Sequence, residues 1–340
     1  MDNTYYILAK TKVNIERLHI CTWEFPNETS YIEFGMEFAY DAFSKDALEL
    51  YLTAACFKKV DSTGDKDDDI NRYVKSLHAN LINTDNARFI FNDVAKGTTN
   101  ISDSNRNGAY IEFAEREYLT VLPCKIKLED GYAVLKIAKP EREKTKGNMY
   151  FRILVKLESP VAIIKKGISQ ATYIYDLKIN EKRNIPLEIY GLIDDEHLEI
   201  CSVKNLFCFH AIPDNFSVDF VDSSKLRNIR KLETKAFQNY LPQIAGISKD
   251  CYNIIFLKDK GADSYSFFSM CTEEIIGSKQ IAFAVGANIL CSLLFAISSL
   301  NFSENANVAW YLQIPWNYWF AFGVLLLLCI YFFSSIKKKL

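Results

Sequence analysis

"YAVLKIA", residues 132–138, carries apolar side chains at both odd and even positions and follows the turn sequence "EDGY". Successive side chains of a β-strand point to opposite faces, so a short run that is apolar on both reads as a well-buried strand. The same signature of short runs rich in Ile, Val, Tyr and Phe recurs along the chain. It is found in "TYYILA", "IERLHICTWEF", "YIEFGMEF", "AYIEFA", "YLTVLPCKIKL", "MYFRILVKL", "TYIYDLKI", "IPLEIYGLI", "HLEICSV", "LFCFHAI" and "YNIIFLK". Short strands with few helices between them point to a mainly β protein built of sandwich- or barrel-like modules rather than a parallel α/β sheet.

Two helices are expected within this β-rich part. "DDDINRYVKSLHANLIN", residues 67–83, places Ile70, Tyr73, Val74, Leu77 and Leu81 on one face behind an acidic first turn. "SSKLRNIRKLETKAFQNYL", residues 223–241, has a serine cap, a proline after its end and a basic flank from Lys225 to Lys235. It reads as an amphipathic helix, on a protein surface or against an anionic membrane face. A boundary near Ser159–Pro160 suggests two β-rich modules, 1–159 and 160–272.

The chain then changes character. Between Ile281 and Ile336 the only formal charge is Glu304. Residues 281–300 and 316–336 are each about as long as a bilayer's hydrocarbon core is thick when helical, at roughly 1.5 Å per residue. The expected unit is a two-helix transmembrane hairpin over 279–336. Trp310, Trp316 and Trp319 mark one interfacial belt. Lys279 before the first span and Lys337, Lys338 and Lys339 after the second place both ends on the cytoplasmic side of an inner or plasma membrane. Ala282, Gly286, Ser292 and Ala296 are small residues that let helix backbones approach, and Asn288 adds an amide that needs a partner in lipid. These features fit packing of the hairpin's own two helices against each other and, equally, self-association into a homo-oligomer or the lining of a pore.

Hydrophobic content of 49% excludes a disordered chain, and a formal net charge of −2 gives no electrostatic case for nucleic-acid binding. The nine cysteines contain no CxxC pair and fit reduced core thiols. Cys201, Cys208 and His210 form the one cluster with ligand chemistry, and buried cysteines in strands account for it better than a metal. The N-terminus lacks a signal-peptide pattern, so four sequons, at Asn27, Asn100, Asn215 and Asn301, read as chance. No nucleophile elbow, phosphate-binding glycine loop, zinc-protease motif or dinucleotide fingerprint occurs, and neither catalysis nor a cofactor is expected. One polar loop, Lys165, Lys166, Gly167 and Ser169, has the ammonium groups and turn amides that hold a phosphate. In outline the architecture resembles prokaryotic membrane effectors that join a cytosolic ligand-sensing module to a few transmembrane helices. That resemblance implies a signal-controlled, membrane-disrupting or pore-forming role of the kind used in antiviral defence. The signal is then a small molecule or a protein on the cytosolic side. A membrane-tethered scaffold for a protein partner is the other class that fits.

Overall fold

The computed structural model describes residues 3–24, 29–44, 46–54, 56–57, 74–101, 108–157, 160–167, 170–232, 234–242, 252–274 and 278–297, with positions 318–320, 322, 323 and 326. The chain divides into one compact unit, 1–165 with 172–272, and a second, 166–171 with 273–340.

The first unit is mainly β. Its largest sheet has eleven strands. They are β1 (Asn14–Trp23), β2 (Tyr31–Phe38), β3 (Val74–Ser76), β4 (Ala95–Ile101), β5 (Gly108–Phe113), β6 (Tyr118–Val121), β7 (Asn148–Lys156), β8 (Ser202–Val203), β9 (Asn205–Pro213), β10 (Leu226–Lys231) and β11 (Tyr252–Lys260). Across the sheet the order is β10-β11-β9-β1-β2-β7-β6-β5-β4, with β8 beside β1 and β3 beside β7. Two five-stranded sheets complete the unit. One runs Lys125–Glu129, Tyr132–Ala138, Ala47–Thr53, Ile7–Ala9, Glu199–Ile200; the other is built on Asn3–Tyr5, Gln170–Ile179, Tyr265–Glu274 and Phe216–Val221.

Period-two alternation in the central strands sorts their side chains between two cores. On one face Ile20, Phe34, Ile153, Cys208 and Leu257 join the larger cluster, which also takes Ile7, Leu50, Leu135, Tyr175 and Phe267 from the smaller sheets. On the other, Trp23, Tyr150, Leu154, Ala211 and Ile254 pack with residues of three short helices. These helices are α1 (His78–Leu81), α2 (Thr84–Phe91) and, further along the chain, α4 (Thr234–Tyr240). A separate helix, α3 (Leu187–Asp195), covers a third cluster around Tyr6, Leu8 and Tyr51.

Several expectations are corrected. "IPLEIYGLI" is helical from Leu187 onward, because Ile189, Leu192 and Ile193 recur at helical spacing against one cluster. The helix expected over 67–83 is replaced, where described, by β3 and α1. Val74 and Leu81 go to different cores on opposite faces of the sheet, which one helical face cannot do. The basic helix expected over 223–241 is two elements. Leu226–Lys231 is an edge strand whose exposed cations keep that edge from pairing further, and only Thr234–Tyr240 is helical, anchored by Phe237 and Tyr240. "YAVLKIA" is the strand Tyr132–Ala138, yet it buries only Ala133, Leu135 and Ile137, the one face that packs on the core. A division at 159/160 does not separate compact units, since strands from either side interleave: β9 lies parallel to β1, and Glu199–Ile200 pairs with Ile7–Ala9.

In the second unit, α5 (Ser278–Ile297) is a 20-residue helix. Its side chains are described at Ile281 and at 283–292, with Ile281, Phe283, Val285 and Leu290 exposed. Among the described residues no helix is long and apolar enough to cross a membrane. Most of the second expected span, 316–336, lies outside the described residues.

Candidate functional site

Register brings the site together. In β1 the residues facing α2 are Arg17, His19, Cys21 and Trp23. Parallel pairing sets Phe207 of β9 beside His19 and Phe209 beside Cys21. Antiparallel pairing then sets Lys258 of β11 beside Phe207 and Phe256 beside Phe209. A bulge at Arg227 shifts β10 so that Asn228 lies beside Phe256 and Arg230 beside Ile254. One face of four strands thus presents an alternation of cations and phenyl rings.

These side chains line a cleft of about 570 Å³ whose other wall is Phe89, Ile90, Phe91 and Asn92 at the end of α2. Asn83 caps the start of that helix, accepting from the Asp85 and Asn86 amides, and Asn92 ends it in the left-handed conformation, with φ 51°. Four lining residues are Lys or Arg, and none is Asp or Glu. Among the described residues Arg227, Arg230 and Lys258 form no ion pair with a carboxylate. Arg17 is held by Glu37 at 3.6 Å, and Glu37 is itself bound by Asn148 and Arg116. The rings are ordered: Phe209 and Phe256 stack 4.7 Å apart within 4° of parallel, and Phe207 lies within 11° of Phe256 at 6.2 Å. Lys258 and Arg17 both sit over Phe207, at 5.0 and 5.9 Å.

Beneath the cleft lies a buried polar chain. His19 Nδ1 is 3.0 Å from the Tyr150 hydroxyl, which also accepts from Arg152 at 3.3 Å. Arg152 Nε donates to Glu33 at 2.5 Å, and Glu33 also accepts from Trp23 Nε1 at 2.6 Å and from the Tyr240 hydroxyl at 2.8 Å. Gly35 makes this arrangement possible, because a Cβ there would meet the Tyr150 hydroxyl at 1.9 Å. Burial, reinforced by the charges of Arg152, Arg116 and Arg17, holds the His19 pKa well below its usual value. The floor of the cleft is therefore a neutral imidazole at neutral pH, while its walls are cationic. Burial is the largest single influence on Arg152 and works against its charge, but Glu33 together with Tyr240, Tyr150 and Cys21 outweighs it, and the pKa is raised.

Residues singled out in the sequence fall elsewhere. Lys165 and Lys166 end the exposed strand Ile163–Lys166, and Ser169 lies outside the described residues. The Gly167 amide already donates to the Gln170 carbonyl at 2.8 Å, so it is not free to hold a phosphate. Cys208 Sγ and His210 Nε2 are 3.7 Å apart in the core, and among the described residues no third ligating side chain joins them. On α5, Ala282, Gly286, Asn288, Ser292 and Ala296 have helical backbones, and the Ser292 hydroxyl donates to the Asn288 carbonyl at 2.9 Å. Lys279 is also in α5, and Trp319 is half exposed in helical backbone; Trp310, Trp316, Lys337, Lys338 and Lys339 lie outside the described residues.

No motif in the sequence marks His19 or the cleft's phenyl rings as a site, and the sequence pattern puts Arg227 and Arg230 on the flank of a helix, whereas they lie on the strand Leu226–Lys231. The signal in the sequence is only a recurrence of charged or aromatic residues two apart: Arg17 and His19 in "IERLHICTWEF", Phe207 and Phe209 in "LFCFHAI", and Phe256 and Lys258 in "YNIIFLK". No protein-family model matches the chain, and no curated protein matches it significantly.

Proposed function

We propose that the protein is a membrane-anchored, oligomeric effector. Its β-rich unit binds a small anionic signal in the cationic, phenyl-lined cleft and thereby controls a two-helix transmembrane hairpin over 279–336. The β-rich unit and the C-terminus then lie in the cytoplasm, at the inner or plasma membrane, with the hairpin loop outside. The cleft carries the proposal: four cations without a lining carboxylate attract an anion from solution, and desolvation in a concave site strengthens that attraction. The hairpin rests on the apolar runs 281–300 and 316–336 and on lysines at both ends.

One contact gives the signal a route. Lys225 immediately precedes β10, whose Arg227, Asn228 and Arg230 line the cleft. Its ammonium group donates to the Ser266 carbonyl at 2.6 Å, on the strand Tyr265–Glu274 that precedes α5 in sequence. A ligand that draws β10 inward therefore loads the strand leading to the membrane segment. It shifts the equilibrium only as far as it binds the responding state more tightly.

The test exchanges residues 281–300 and 316–336 for an unrelated hairpin of equal length and measures ion leakage across cell membranes on expression. Loss of leakage supports an effector. Full leakage after the exchange overturns it and leaves the hairpin as the tether of a scaffold. Lys225→Met should keep ligand binding and lose the response.

A further inference from the structure

We propose that the ligand of the cleft is a free nucleotide, its base stacked on the phenyl array and its phosphates held by the cations; this rests on the anion-binding reading above.

The cleft combines two chemistries on one face. Phe209 and Phe256 form a parallel stack, both half-buried, with Asn228 beside Phe256 and Asn92 on the opposite wall. A planar heterocycle extends such a stack, and side-chain amides supply donors and acceptors for its edge. Cations flank the rings on both sides: Lys258 and Arg17 lie over Phe207, with Glu37 holding Arg17 in place, and Arg227 and Arg230 stand on either side of Asn228. A guanidinium presents paired donors to phosphate oxygens, and an ammonium adds a point charge. Simple polyanions have no use for the phenyl stack, and apolar ligands have none for four cations. A nucleotide uses both. A volume of about 570 Å³ lies within the range of small-molecule sites and is finite, which favours a free nucleotide over a long strand.

The experiment uses the full chain in detergent and isothermal titration with ATP, GTP, CTP and UTP, tripolyphosphate, adenosine and a six-nucleotide single strand. At least one nucleoside triphosphate should bind ten or more times tighter than tripolyphosphate and than adenosine. Phe256→Leu, which keeps apolar volume at a half-buried position, should weaken that nucleotide roughly 5- to 150-fold, the range for loss of one base-aromatic stack. It should leave tripolyphosphate within about twofold, whereas Lys258→Ala should weaken both. Unchanged strand content by circular dichroism confirms that each variant folds. If tripolyphosphate matches every nucleotide and Phe256→Leu is silent, the nucleotide inference is overturned and the anion-binding reading survives. If no probe binds, both fall. If the single strand binds ten or more times tighter than all four nucleotides, the site belongs to a nucleic-acid strand and the proposal is overturned.

Discussion

Replacing Glu33 by Gln should unsettle the whole face of the sheet that carries the cleft. The carboxylate is fully buried and accepts from three donors: Trp23 Nε1, Arg152 Nε and the Tyr240 hydroxyl. An amide of the same size keeps one acceptor oxygen, but its NH2 group meets groups that also donate. Arg152, 3% exposed, is left as a buried charge without a counter-ion. Breaking a buried ion pair from one side costs about 3–5 kcal/mol, and the lost hydrogen bonds are part of that figure rather than additional to it. At roughly 2–4 °C per kcal/mol for a unit of this size, the midpoint of thermal unfolding should fall by about 6–20 °C. The assay is far-UV circular dichroism of the full chain in detergent, following strand signal. Arg152→Met on the Glu33→Gln background removes the orphaned charge and should recover half or more of the loss. A shift under about 2 °C for Glu33→Gln, or costs that simply add in the double variant, would refute the idea of a coupled buried pair.

Gly35→Ala should cost about 1–3 kcal/mol of unfolding free energy, read as the shift in denaturant midpoint times the slope m, since the new Cβ lies 1.9 Å from the Tyr150 hydroxyl; adding Tyr150→Phe should recover part of it. Burial lowers the pKa of His210 from its usual 6.5 to about 4. Above pH 6.5 both folded and unfolded chains hold it neutral. Between pH 6.5 and 4 only the unfolded chain takes the proton, so stability falls with acidification. His210→Gln should therefore remove about 3 kcal/mol of the loss between pH 7 and 4, read as the difference between the two denaturation curves. A chain ending at Glu274 should fold without detergent into a β-rich protein, because all three apolar clusters draw their buried members from Tyr5 to Cys271; aggregation in every condition would contradict this.

Sequence alone determined the mainly β class, because alternation is written into each strand. "YIEFGMEF" is the strand Tyr31–Phe38, and "MYFRILVKL" covers most of Asn148–Lys156. It also marked where the composition turns apolar after residue 280. Local periodicity misled where a segment serves two elements. The stretch 223–241 carries helical spacing near Phe237 and Tyr240, but its first half is recruited as the partner of β11. The cleft was decided only by tertiary structure. His19 and Phe207 are side by side because β1 and β9 pair in parallel, and Phe256 and Asn228 because β10 carries a bulge. Glu33 and Arg152 likewise meet only through the register of β2 and β7 around Gly35. Register between distant strands follows from how all their side chains pack at once, and a slip of one residue would turn this face inside out. Each strand's pattern records which residues share a face, while only the assembled sheet determines which strands stand side by side.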